Sequence, residues 1–131
     1  MTFGRRTFLR YGLVLGMLAG FAAALPATPA HAHHGWRWAE DGNFEITGSI
    51  VLARLGNPHG LVRIDVNGEH WTIEVGQPWR NERAGLKDGD LAEGVKVRFV
   101  GEPSKNPEER RLKVVTLYIG DAEHVLYPEL V

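Results

Sequence analysis

Three histidines carry the clearest chemistry in this chain: His33 and His34, side by side, and His59, which follows Asn57-Pro58. Imidazole nitrogen suits Cu(II), and what the adjacent pair can do depends on a processing signal just before it. Arg5-Arg6-Thr7-Phe8-Leu9-Arg10 has the spacing of a twin-arginine export signal, with Gly4 and Arg10 where the pattern carries Ser and Lys. An apolar stretch from Tyr11 to Leu25 follows, then Pro26, Pro29 and Ala30-His31-Ala32, with small residues where a signal peptidase pocket needs them. The apolar stretch is about 15 residues, short of the roughly 20 that span a bilayer, so no stable membrane span is expected after cleavage.

Cleavage after Ala32 would give His33 a free α-amine. The amine and the ring Nδ1 of the same residue can then chelate, and a third nitrogen from His34 or His59 would complete a T-shaped histidine brace for Cu(II). Cleavage after Ala30 would instead expose His31-Ala32-His33, where an amine, two backbone amides and an imidazole form a square-planar Cu(II) or Ni(II) site. The plainer alternative is a solvated His-rich tail that binds metal incidentally. For His59, Pro58 holds Asn57 extended and presents the imidazole at the mouth of a strand, where small barrels often bind ligands; otherwise it is a turn residue bonded to local backbone.

The elements that must position these groups read as strands. Phe44, Ile46, Gly48, Ile50 and Leu52 alternate with Glu45, Thr47, Ser49 and Val51, one long strand with a glycine where a small barrel would bend or bulge. Val62–Val66 and Glu69–Val75 flank Asn67-Gly68, a two-residue hairpin turn. That turn predicts the pairs Val66 with Glu69, Asp65 with His70, Ile64 with Trp71 and Val62 with Ile73, with Val62, Ile64, Trp71 and Ile73 facing the core. His70 then makes a surface pair with Asp65, roughly 20 Å along the strand from His59, so the two histidines cannot share an ion. His124 sits beside the last turn with no partner visible in the sequence.

Pro78 suits the first turn of a connector helix through about Ala84. Val95–Phe99 reads as a further strand, Gly101–Arg110 as an exposed loop, Leu112–Ile119 as another strand and Val125–Tyr127 as a short last one. This order predicts an all-β domain with one short helix, a small OB-like β-barrel spanning residues 33–131 after a signal peptide at 1–32. A small open β-sandwich is the runner-up. Trp36, Trp38 and Trp79 lie outside strong periodicity; they could line a groove for a planar ligand, or Trp36 and Trp38 could pin an N-terminal arm to the barrel.

Composition narrows the partners. Three of the 15 basic residues lie in the signal, leaving 12 against 16 acidic ones, a formal charge near −4, which argues against nucleic acid and against a polybasic membrane surface. With no cysteine, thiolate catalysis, thiolate metal sites and disulfides are excluded. No nucleophile elbow, H-E-x-x-H or phosphate-cradling loop occurs, and Glu45, Asp65 and Glu74 are expected on outward faces, so an enzyme is not expected.

His33-His34-Gly35-Trp36, Ile46-Thr47-Gly48-Ser49-Ile50, Asn57-Pro58-His59, Trp71 through Pro78 and Gly101-Glu102-Pro103 together make the chain resemble a domain-of-unknown-function family of small secreted bacterial proteins. The resemblance covers essentially the whole chain after the signal. It implies kinship and export rather than an activity. Where that family carries a Trp before Asn-Pro-His this chain has Gly56, so no stacking role is expected there. The expectation is a non-enzymatic periplasmic or secreted protein that meets the twin-arginine (Tat) translocase and signal peptidase during export. It would bind copper through His33, His34 and His59; the alternative is a non-metal binding or structural module facing a small ligand or an envelope protein partner.

Overall fold

The computed structural model describes residues 36–131, which lie within one compact unit, Ala32–Val131. The signal, His31, His33 and His34 lie outside the described residues. Six strands form one sheet: β1 (Phe44–Arg54), β2 (Leu61–Val66), β3 (Glu69–Glu74), β4 (Lys96–Pro103), β5 (Arg111–Ile119) and β6 (Ala122–Val125). Helix α1 (Pro78–Arg83) joins β3 to β4, and a 3-10 turn at Pro128–Leu130 ends the chain. Among the described residues no helix is long and apolar enough to cross a membrane.

The sheet closes on itself. β1 pairs with β2 and β4, β2 with β3, β4 with β5, and a parallel pairing of β3 with β5 completes a five-strand barrel in the order β1-β2-β3-β5-β4. This is the OB-like barrel expected from the sequence, and closure removes the exposed edges an open sheet would leave. β5 meets β3 through Arg111–Lys113 and then β6 through Thr116–Ile119, so β6 takes over the edge where β3 ends.

The central hairpin follows its turn. Asn67 and Gly68 both have positive φ, and all four predicted pairs are present. Val62, Ile64 and Ile73 are fully buried and meet Phe99, Leu112, Val114, Leu117 and Leu126 in the core. Trp71 departs from expectation: it is only half-buried and stacks on the exposed Phe44, ring centroids 5.6 Å apart. The cause is the extent of closure, because β5 covers β3 only at Thr72–Glu74 and leaves Trp71 just past the covered stretch.

β1 is long enough to serve two neighbours, pairing β4 through Phe44–Ser49 and β2 through Ser49–Arg54. Gly48 lets the strands approach, since a Cβ there would lie 2.6 Å from the carbonyl oxygen of Asp65. The bulge itself falls between Ile50 and Leu52. One extra residue inverts every later side chain, so Leu52 points outward at 47 % exposure while Ala53 packs against the core.

β4 runs on through Pro103 instead of ending near Phe99. A register shift at Val100/Gly101 permits this, and only glycine fits at 101, where a Cβ would fall 1.9 Å from the Lys113 carbonyl oxygen. The exposed loop therefore starts at Lys105, after the buried Ser104. The last strand is Ala122–Val125, earlier than expected. Leu126 and Tyr127 follow it as buried residues whose amides both donate to the carbonyl of Val115.

Candidate functional site

At one end of the barrel the strand register lines up a belt of charge on the outer face. Leu61 of β2 lies opposite Arg54 of β1 and Glu74 of β3, Glu74 opposite Lys113 of β5, and Lys113 opposite Glu102 of β4. An outer face is normally solvated, but an N-terminal arm covers this part of it. Ala39 bridges Ser104, the Glu40 amide donates to the Pro103 carbonyl, and the Lys105 amide and ammonium donate to the carbonyls of Trp38 and Arg37. Trp36 and Trp38 thus pin the arm to the barrel, the second of the two roles the sequence allowed them. Trp79 stands apart from them on α1, 53 % exposed and beside the guanidiniums of Arg80 and Arg83.

Glu74 is the centre of the site. It was expected on a solvated face, yet it is 2 % exposed, because the arm and the loop after β1 close over it. Its Oε2 accepts from the Trp36 indole nitrogen at 2.7 Å and lies 3.2 Å from His59 Nε2. Its Oε1 accepts from Arg111 Nε at 3.0 Å and from Arg111 Nη2. A buried carboxylate needs such partners, and here every one of its close donors comes from a different segment of the chain.

A second pair backs the first. Lys113 and Glu102, both buried, meet at 3.1 Å, and the Lys113 ammonium lies 4.7 Å from the Trp36 ring centroid and 5.2 Å from that of Tyr127. The Tyr127 ring packs edge-on against Trp36 and under the Arg80 guanidinium. Its hydroxyl has no hydrogen-bond partner among the described residues, and burial pushes its pKa up to about 12. Arg111 covers the Trp38 ring at 3.8 Å.

His59 is held by more than its own turn. Its ring sits 5.6 Å from that of Trp36, and the contact with Glu74 at Nε2 replaces the local backbone bond considered above. A carboxylate at Nε2 favours the tautomer with the proton there and the lone pair on Nδ1, the second-sphere arrangement usual for a metal-binding imidazole. Among the described residues, no group of three or more His, Cys, Asp or Glu side chains is placed to hold a metal ion. Of the three predicted ligands only His59 is therefore located. His33 and His34 lie outside the described residues.

The other histidines have partners of their own. His70 faces Asp65 at 3.7 Å on the exposed side of the hairpin, as the register required. His124, which showed none in the sequence, contacts the Ala84 carbonyl through Nδ1 at 2.9 Å and ties β6 to the end of α1.

Glu74, Arg111, Lys113, Glu102 and Tyr127 were missed as site residues. A sequence signal existed for two of them: Glu74 and Glu102 are the charged residues inside the Trp71–Pro78 and Gly101–Pro103 segments. No curated protein matches the chain. Residues 22–113, more than two thirds of the sequence, match a family of unknown function, DUF6152, and the chain belongs to that family.

Proposed function

We propose that the protein is exported by the twin-arginine route, is cut after Ala32, and works in the periplasm as a non-enzymatic copper-binding module. Its Cu(II) would be held by the α-amine and Nδ1 of His33 and by the imidazole of His59, with His34 as the other source of the third nitrogen. One observation carries this reading: His59, oriented by Glu74, packs against Trp36, which only Gly35 separates from His34.

Chain geometry supports it further. A backbone advances at most about 3.6 Å per residue, so the Cα of His34 lies within about 7 Å of that of Trp36, and the Cα of His33 within about 11 Å. A chain path toward His59 would bring either of them within reach of its imidazole. The amine exists only after cleavage, so the site would be completed outside the cytoplasm.

Cu(II) titration followed by electron paramagnetic resonance tests the proposal on three forms: a chain beginning at His33, the same chain with one residue added before it, and His59→Gln. The first should bind one Cu(II) tightly. The second should lose most of that affinity because its amine leaves chelate range, and the third, which removes a direct ligand, should weaken by at least the roughly 10- to 100-fold that loss of an outer-shell partner costs. Equal, weak binding by all three would overturn the copper reading. Export is tested separately: Arg5→Lys with Arg6→Lys should hold the precursor in the cytoplasm, and N-terminal sequencing of the exported protein should begin at His33.

A further inference from the structure

Away from the arm, the outer face of β1 and β2 carries a second feature. The register sets Leu52 beside Arg63 and Arg54 beside Leu61, a checkerboard of two leucines and two arginines, all exposed. Leu52, Arg54, Leu61 and Arg63 line a cleft of about 300 Å³ together with Thr72, and Arg54 and Leu61 also border the neighbouring cleft beside Leu55. Leu52, Leu55 and Leu61 are each between 44 and 48 % exposed, an apolar cluster that the β1 bulge creates by turning Leu52 outward.

The charge here runs against that of the whole chain. The protein has an acidic excess, yet neither cleft is lined by a carboxylate. Among the described residues the guanidiniums of Arg54 and Arg63 have no hydrogen bond or ion pair, whereas those of Arg80, Arg98, Arg110 and Arg111 each bind a carboxylate. Of the acids around this face, Glu74 opposite Leu61 is buried and already engaged by Arg111, His59 and Trp36, and Asp65, two residues from Arg63 along β2, faces His70 at 3.7 Å.

We propose that this face binds a free anionic amphiphile of the fatty-carboxylate class. Its head group would lie between Arg54 and Arg63, and its chain over Leu52, Leu55 and Leu61. Two unneutralised guanidiniums supply paired donors for a carboxylate, and the adjoining leucines supply apolar area that a hydrophilic anion would leave wet. This binding needs no copper, although His59 also lines the cleft beside Leu55.

Isothermal titration of the purified protein with monomeric octanoate, decanoate and dodecanoate tests this. Affinity should rise roughly fourfold for each methylene fully buried, so roughly 16-fold per two-carbon step. Arg54→Gln and Arg63→Gln should each weaken binding about fivefold, and dodecanol should bind more weakly than dodecanoate. Leu52→Ser with Leu61→Ser should flatten the chain-length dependence, and Lys96→Gln, at the exposed first position of β4, should change nothing. These are surface substitutions, and an unchanged circular dichroism spectrum checks that each variant folds. Affinity independent of chain length, insensitivity to both arginine changes, or binding to phosphatidylglycerol vesicles without binding to the monomeric carboxylates would overturn the proposal.

Discussion

Glu74→Gln is the sharpest test of the buried cluster. The side chain keeps its size but loses its charge, and it now carries one acceptor oxygen and one donor nitrogen. Arg111 donates from one side of the group, Trp36 and His59 from the other. Whichever way the amide turns, a donor faces a donor. An unsatisfied buried donor costs about 1–3 kcal/mol, and Arg111 also loses its counter-charge, a loss moderated because its side chain is 34 % exposed. The expected destabilisation is about 2–4 kcal/mol, a fall in Tm of order 15 °C for a domain of this size. Urea denaturation followed by tryptophan fluorescence measures it, with the slope checked for constancy. Glu74→Met combined with Arg111→Met should recover only the part due to the stranded Arg111 charge, because the Trp36 indole and His59 still lose their acceptor. A Glu74→Gln variant within about 0.5 kcal/mol of the parent would refute the claim that the carboxylate holds the arm.

Phe99→Ala should cost about 3–5 kcal/mol, while Trp71→Ala should cost roughly half as much despite the larger side chain, because Phe99 is fully buried and Trp71 only half so; equal losses by chemical denaturation would contradict the limited cover that β5 gives β3. The raised pKa of Tyr127 gives a pH signature. Unfolded, the phenol ionises near 10, and folded near 12, so stability is complete below about pH 10 and falls by about 2 kcal/mol as pH rises toward 12. Tyr127→Phe should remove that part of the alkaline loss, seen as a flatter stability profile between pH 9 and 12.

What the sequence revealed was local. The Asn67-Gly68 turn fixes the hairpin register by itself, so Val62, Ile64 and Ile73 could be assigned to the core before any tertiary contact was known. Leu52 could not, since nothing in Ile50-Val51-Leu52 announces which residue bulges. Glu74 was illegible for a longer-range reason. Alternation correctly puts it opposite Ile73, but the outer face there is covered by Trp36, 38 residues upstream, and by Arg111, 37 residues downstream. His59 was singled out by its triplet, yet the carboxylate that orients it came to light only when β3 was seen beside the loop.

Because the Glu74 cluster draws one member each from the arm, the β1–β2 loop, β3 and β5, no fragment of the chain can assemble it. Parallel pairing of β3 with β5 joins segments about 40 residues apart, and such non-local contacts are slow to form. Trp36 can settle on Glu74 only after that closure, so the arm acts as a latch that records completion of the barrel. In a refolding experiment its indole should be the last to reach native fluorescence, after the strands have formed.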